Sequence, residues 1–139
     1  NKFTPSVIEP AGGLTRTLFA VLLSLYEEEE LEKEVRTLFK FKFDLAPIQI
    51  GILPLSKKEE LIEVCNSIKS ELGPYFRTEI DITQSIGKRY RRQDEIGTPY
   101  CITVDFDTLE DKAVTVRDRD SMSQERIKIE DIKSYFDNM

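Results

Sequence analysis

Apolar residues change their spacing several times between Ala46 and the end of the chain, and this alternation is the strongest constraint on the fold. Period-two runs are typical of strands, and runs spaced by three and four residues are typical of helices. The resulting order is strand, helix, strand, helix, three strands and a helix. Such an order favours an α/β fold with a mixed sheet and helices packed on it. The strands are predicted near Ile48, Phe76, Tyr100, Val114 and Arg126, and the helices near Ser56, Ile86 and Glu130.

The first predicted helix of this unit has start and stop signals. Ser56 and Glu59 have the spacing of a capping box, in which each side chain binds a backbone N–H of the other residue. Gly73 and Pro74 then predict the helix end. By contrast, Thr108 to Lys112 is predicted to be a polar turn.

The first 44 residues are predicted to be a separate, partial unit. After Gly12-Gly13, apolar residues from Leu14 to Leu25 predict a helix that is buried on most sides. The acidic run from Glu27 to Glu34 predicts a solvated helix end or connector. Residues 36–43 predict an extended linker or strand. Because the chain begins with Asn1 and not with methionine, we expect it to be a piece of a longer protein.

Composition excludes several kinds of site. The chain of 139 residues contains no histidine, which excludes Ser-His-Asp and Cys-His catalysis and histidine metal sites. Cys65 and Cys101 are predicted to be buried, reduced thiols. No apolar stretch approaches the length of a membrane span, so no membrane partner is expected. Since the net charge is −6, nucleic-acid binding would need a local basic patch.

Residues 85–97 contain that patch. Four cations lie within the five residues from Lys88 to Arg92, and the acids Asp94 and Glu95 follow them. On a short helix this order opposes the helix dipole, which favours anions first and cations last. Arginine binds phosphate and base edges and stacks on bases, whereas a carboxylate accepts a hydrogen bond from the cytosine amine. The alternative, about equally favoured, is a solvated basic helix held by its own acids.

Two further charged clusters have simpler interpretations. Arg117-Asp118-Arg119-Asp120 is predicted to form surface ion pairs, with contact between the arginines and RNA as the alternative. Asp105, Asp107, Glu110 and Asp111 resemble a cation cluster but lack the glycine and terminal glutamate of a calcium loop. A polar hairpin rim is therefore predicted there, and no metal site.

Two long segments, residues 85–108 and 113–126, closely resemble glycyl-tRNA synthetase, as do residues 45–48 and 53–55. The resemblance implies that residues 45–139 are the anticodon-binding domain of that family. It implies a five-stranded mixed sheet flanked by about three helices, in agreement with the order predicted from periodicity.

Residues 7–16 resemble motif 3 of the class II synthetases in its glycyl form. The resemblance implies that residues 1–44 are a helical remnant of the catalytic domain with a linker. It implies ATP binding by Arg16 and binding of the glycine amino group by Glu9, which suits a cation and a carboxylate. This chain has Ala11 where the family usually has a serine that helps to bind glycine.

The resemblance implies a tRNA-binding fragment of a glycine–tRNA ligase. The intact cytoplasmic enzyme, usually a homodimer, attaches glycine to tRNA-Gly with ATP and magnesium, whereas this fragment alone is expected to be inactive and to need no cofactor.

Reversal of Arg89 and Arg92 to glutamate is expected to weaken tRNA binding while the fold survives. The alternative is a non-catalytic module that binds nucleic acid or protein. The predicted tRNA contacts are Arg89, Arg91, Arg92, Asp94, Glu95, Arg117 and Arg119.

Overall fold

The computed structural model describes residues 2–32, 34–137 and 139. Five helices and seven strands alternate along these residues, with two short 3-10 turns at Phe43–Leu45 and Ile129–Asp131. The helices are Leu14–Leu25 (α1), Glu59–Leu72 (α2), Ile86–Ile96 (α3), Asp107–Asp111 (α4) and Ile132–Asp137 (α5). The strands are Tyr26–Glu30 (β1), Val35–Phe39 (β2), Ile50–Pro54 (β3), Thr78–Ile80 (β4), Tyr100–Val104 (β5), Ala113–Asp118 (β6) and Gln124–Lys128 (β7).

The main sheet has five strands in the order β4-β3-β5-β6-β7. Strand β3 pairs in parallel with β4 and β5, whereas β5, β6 and β7 pair antiparallel. The parallel pairs need crossover connections, which α2 and α3 provide, and the antiparallel pairs need only short turns. The predicted α/β fold with a five-stranded mixed sheet is therefore confirmed.

The core lies between this sheet and the helices α2 and α5. Ile52, Ile102 and Val116 lie side by side on adjacent strands, and all three are buried. Helix α2 covers them with its stripe of Leu61, Cys65, Ile68 and Leu72. Burial of each such aliphatic side chain stabilises the fold by roughly 1.5–3 kcal/mol.

Two local predictions about this unit are wrong. Helix α2 begins at Glu59 with Lys58 as its N-cap, and no side chain caps it. Ser56 Oγ instead accepts a hydrogen bond from the Lys58 N–H at 3.4 Å, a local turn that competes with the capping box. The predicted polar turn at 108–112 is largely the short helix α4, in which Asp105 Oδ1 accepts from the Thr108 N–H at 2.9 Å.

The acidic run is a strand, which corrects the predicted helix end or connector. Strand β1 pairs antiparallel with β2 and forms a hairpin, here called the acidic hairpin (residues 26–39). Pairing places Glu29 opposite Arg36, and Lys40 Nζ lies 2.5 Å from Glu27 Oε2. Opposite charges on neighbouring strands favour the pairing that a run of like charges alone would oppose. Strand β2 packs against α3.

Helix α1 is not buried on most sides, contrary to the sequence-based prediction. None of its residues is buried, and Leu14, Leu18, Phe19 and Leu23 are exposed. Its apolar faces have the pattern of a core helix, but no part of the described chain covers them. No helix among the described residues is both long and apolar enough to cross a bilayer.

Gly97 ends α3 and admits the acidic hairpin next to it. Its φ of 85° lies in the left-handed region, and an added Cβ would lie 2.9 Å from Phe39 O and closer still to Phe41 Cδ2. We expect Gly97→Ala to destabilise the fold by about 2–4 kcal/mol, because backbone strain and overpacking add.

Gly87→Ala is the matched control on the same helix. A Cβ there meets no atom within 4 Å, so alanine should stabilise α3 by up to about 1 kcal/mol. Urea unfolding followed by circular dichroism measures both variants. Equal stability of the two variants would contradict this account of Gly97.

Candidate nucleic-acid interface

A cleft of about 470 Å³ lies between the acidic hairpin, the first half of α3 and the β6–β7 connection. Glu34 and Arg36 line it from the hairpin, and Arg117 lines it from β6. Helix α3 contributes Lys88, Tyr90, Arg91 and Asp94. The cleft thus contains much of the basic segment that the sequence singled out.

The buried carboxylate of Asp94 joins three elements at the floor of the cleft. Asp94 accepts hydrogen bonds from Arg36 Nε at 2.9 Å and from Arg117 Nη1 at 2.9 Å and Nη2 at 3.2 Å. Arg36 Nη1 also donates to Glu29 at 2.8 Å, so two guanidinium groups meet two carboxylates. The cations brought by β2 and β6 stabilise an acid that the C-terminal end of α3 alone disfavours.

An aromatic ring and a guanidinium form the inner wall of the cleft. The Arg117 guanidinium carbon lies 4.9 Å from the centre of the Tyr90 ring, within cation–π range. The Tyr90 hydroxyl is hydrogen-bonded to Thr103 Oγ1, which fixes the ring. Burial raises the pKa of the Tyr90 phenol and outweighs that hydrogen bond, so the ring stays neutral. The wall therefore offers a rigid stacking surface.

Arg89 and Arg119 are structural in this geometry. Arg89 is 2% exposed and donates to Pro54 O, and to Gln84 O at 2.9 and 3.2 Å. Arg119 Nη1 donates to the carbonyls of Phe39, Phe41 and Gly97 at 3.0, 3.1 and 2.9 Å. Reversal of Arg89 would bury a carboxylate against carbonyl oxygens, so the expectation that the fold survives Arg89→Glu conflicts with the structure.

Arg91, Arg92 and Glu95 are the more accessible members of the predicted set. The Arg91 side chain is 29% exposed and pairs with Glu34 of the hairpin. The Arg92 side chain is 37% exposed and donates from Nε and Nη2 to Asp81 Oδ2 at 2.8 and 2.6 Å. Glu95 is exposed. The hypothesis of a helix held by its own acids is wrong, since the partners come from other elements.

The predicted surface pairs at 117–120 differ in their burial. Arg119 Nε donates to Asp120 at 2.8 Å, as predicted for a local pair, although the arginine itself is buried. Arg117 is also buried, and its partner is Asp94, far away in the sequence. This part of the surface-pair prediction is therefore wrong, because a strand places its side chains on alternate faces and the inward one needs a partner there.

Of the predicted tRNA-binding residues, Arg91, Asp94 and Arg117 line the cleft, and the other predicted site residues do not. Glu9 and Arg16 are exposed on the N-terminal segment and α1. Asp105 and Asp111 both accept hydrogen bonds from Arg126, at 2.7 and 3.0 Å, so a guanidinium binds their charges. No group of three or more potential metal ligands occurs among the described residues. Cys65 and Cys101 are free and buried, as predicted, and burial raises the pKa of each thiol to about 12.

Sequence reasoning missed three residues of this region: Glu34, Arg36 and Asp81. A signal existed for Arg36, which shares one face of β2 with the buried Leu38 and is itself only 1% exposed. An inward-facing arginine in an alternating strand predicts a buried acidic partner. For Glu34 and Asp81 the local sequence has no such signal, because their partners are distant in the chain.

Asp94 should therefore be indispensable for stability. Asp94→Asn removes the negative charge that two buried guanidinium groups share, and we expect a loss of about 3–5 kcal/mol in the free energy of unfolding. Glu95→Gln, an exposed change on the same turn, should cost about 0.5 kcal/mol or less. Urea unfolding measures both, and a small effect at Asp94 would show that Arg36 and Arg117 find other partners.

Asp81 predicts a pH dependence. Burial alone would raise the pKa of this carboxyl, but hydrogen bonds from the Thr83 N–H and from Arg92 outweigh it and hold the pKa below its ordinary 3.8. A depressed folded-state pKa stabilises the fold above the unfolded-state pKa, and the benefit is lost as pH falls through the folded-state pKa.

We therefore expect Asp81→Asn to destabilise the protein at pH 7 and to have a smaller effect below pH ~3.8. Unfolding by urea at both pH values measures this difference. Glu79→Gln on β4, at an exposed position, serves as control. An equal cost of Asp81→Asn at both pH values would contradict the role of the charge.

The chain is similar to several known proteins. The anticodon binding domain family matches residues 49–139. The chain is 58% identical over 138 residues to the glycine–tRNA ligase of Lachnospira eligens and 52% identical over 136 residues to that of Bacillus cereus. The matched residues are 99% and 98% of this chain, respectively, but the chain spans only 29% of the length of either relative.

Solved structures show the same fold. The RNA-binding domain of threonyl-tRNA synthetase from Cryptosporidium parvum Iowa II matches 72% of this chain and 25% of that chain, with 28% identity and a TM-score of 0.65. A prolyl-tRNA synthetase from Cryptosporidium parvum matches 73% of this chain and 22% of its own, with 25% identity and a TM-score of 0.67. The resemblance to glycyl-tRNA synthetase is confirmed, and the chain belongs to the anticodon-binding domain family.

Proposed function

We propose that the cleft binds the anticodon loop of a tRNA, as the RNA-recognition part of a glycine–tRNA ligase. The observation that supports this most directly is the juxtaposition of exposed cations with a rigid inner wall. Lys88 and Arg91 line the cleft from α3, and the Tyr90 ring and the Arg117 guanidinium lie beside them.

The two parts of the cleft suit the two parts of a nucleotide. The exposed Lys88 and the partly exposed Arg91, on the first half of α3, suit phosphates, which position a strand without selecting its sequence. A fixed aromatic ring with a stacked guanidinium suits an unstacked base of a single-stranded loop. The rigid floor of Arg36, Asp94 and Arg117 holds the inner wall in place before RNA arrives, which reduces the ordering cost on binding.

The predicted tRNA-binding residues accordingly divide by accessibility. Arg91 lines the cleft and is proposed as a direct contact. Arg92 and Glu95 do not line it, and they are proposed to contact the RNA outside the cleft. Arg117 is proposed to contact a base as part of the inner wall. Asp94 is proposed to position Arg117 and not to contact the RNA, because both of its carboxylate oxygens already accept hydrogen bonds from guanidinium groups. Arg89 and Arg119 are proposed as positioning residues, since each is buried on backbone carbonyls.

The longer protein would attach glycine to tRNA-Gly with ATP and magnesium, as a homodimer in the cytoplasm. In that protein residues 1–44 would belong to the catalytic domain and residues 45–139 to the anticodon-binding domain, with Arg16 on ATP and Glu9 on the glycine ammonium. Both side chains are exposed here and thus accessible to such ligands. We expect this chain alone to lack the activity.

Charge reversal on the outer face of α3 tests RNA binding without disturbing the floor. Lys88→Glu with Arg91→Glu should weaken binding of an anticodon stem-loop of tRNA-Gly at least about tenfold at fixed salt, because two cations near phosphates become anions. The slope of log K against log salt should also become shallower. Fluorescence anisotropy of a labelled stem-loop measures both quantities.

The matched control reverses two exposed lysines, Lys57 and Lys69, that do not line the cleft. It makes the same change in net charge, so it separates a local contact from the field of the whole molecule. Circular dichroism verifies that both double variants are folded. Equal affinities of the two folded variants would refute the assignment of the cleft.

A further inference from the structure

The acidic hairpin forms a wall of the cleft although it precedes residues 49–139, which match the family domain. Its strand β2 packs along α3, and its tip contributes Leu31 and Glu34 to the cleft lining. The hairpin side of the cleft, here called the acidic wall, carries the exposed carboxylate of Glu34 beside the buried Arg36, and the opposite side carries Lys88 and Arg91 of α3. A polyanion that enters must accommodate both.

The hairpin is fixed in this position by buried contacts. Arg36 Nη2 donates to Arg119 O at 2.6 Å in addition to its bond with Asp94. Leu38 is fully buried and Phe41 is nearly so, next to the close approach at Gly97. The acidic wall is thus part of the folded unit, and Glu34 faces the basic helix in the protein without RNA.

Glu34 and Arg91 form an ion pair across the mouth of the cleft. The Glu34 side chain is 59% exposed, and Arg91 also donates to Val35 O at 3.4 Å. A phosphate that binds Arg91 must take the place of the Glu34 carboxylate. The Glu34 carboxylate then loses its ion pair, and it can accept a hydrogen bond from a base that lies in the cleft.

We infer that Glu34 is a specificity-determining residue. In the free protein its carboxylate pairs with Arg91. When RNA binds, Arg91 pairs with a phosphate, and the Glu34 carboxylate accepts a hydrogen bond from a base amino group. A carboxylate has acceptors only, so it matches the exocyclic amino group of cytosine, adenine or guanine. Uracil offers only its N3–H, between two carbonyl oxygens that the carboxylate repels. RNA with uracil at this position displaces the ion pair and receives a weaker hydrogen bond in its place. This inference rests on the proposed function of the cleft.

Glu34→Gln tests the inference in the full 139-residue chain. Glutamine does not compete for Arg91, and its amide both donates and accepts, so it tolerates either base edge. We expect affinity for oligo(U), and for a tRNA-Gly stem-loop with uridine in place of the anticodon cytosines, to rise about three- to tenfold. Affinity for the natural stem-loop should stay constant or fall, so discrimination decreases about tenfold.

Glu32→Gln is the matched control, because it makes the same charge change on the same hairpin tip at a residue that does not line the cleft. Its effects should be small and equal for all three RNAs. In an Arg91→Gln background, Glu34→Gln should no longer raise the affinity for oligo(U), since no cation remains to be released. Anisotropy titrations at one salt concentration measure every combination.

The outcomes separate this inference from the function beneath it. If the unmodified chain binds the natural stem-loop no better than oligo(U), both the proposed function and the inference are overturned. If the unmodified chain does discriminate, but Glu34→Gln leaves all three affinities unchanged or changes them by the same factor, Glu34 does not contribute to specificity. In that case only the inference fails. Loss of discrimination with Glu34→Gln, and not with Glu32→Gln, supports it.

Discussion

The carboxylate of Asp94 is the point at which the hairpin, the basic helix and the main sheet are held together. It is fully surrounded and binds Arg36 from β2 and Arg117 from β6. Without it, two guanidinium groups would lie in the interior with only Glu29 to compensate them. Net stability from a buried cluster of this kind is modest, because desolvation offsets attraction. Its consequence is geometric: the inner wall of the cleft has one arrangement.

Much of the fold was predictable from periodicity, because the sheet and its helices are specified by local patterns. Alternation in β3 and β5 and the stripe on α2 each predict an element, and their order predicts the mixed sheet. The failures were also local in origin. A run of glutamates has no intrinsic preference for strand. The pairing of β1 is favoured by Arg36 of β2 and by Lys40, which follows β2, because both form ion pairs with Glu29. Ser56 Oγ could accept from the Glu59 N–H in a capping box or from the Lys58 N–H in a shorter turn, and in the structure it accepts from Lys58.

The site was predictable only as a segment. The run from Lys88 to Arg92 stands out in the sequence because its charges oppose the helix dipole. In the structure, partners from other elements compensate the charges of this helix. Asp94 binds a residue 58 positions away, and Arg92 binds Asp81 from the β4 end of the sheet. Nothing in the spacing of the basic run distinguishes Arg89, which is buried, from Arg91, which is accessible. Accessibility is set by which face of α3 meets the sheet, and that depends on the whole fold.

The hairpin changes how the boundary of the recognition unit should be drawn. A boundary near residue 45 follows from the resemblance, and the family match begins at 49. Yet Arg36, Leu38 and Phe41 are buried against residues of the later unit, whereas α1, immediately before the hairpin, has no buried residue. By the criterion of shared core and shared hydrogen bonds, the hairpin packs with the later unit although it precedes the proposed boundary at residue 45. The lining of the cleft then includes Leu31, Glu34 and Arg36, which a domain defined by sequence similarity alone would omit.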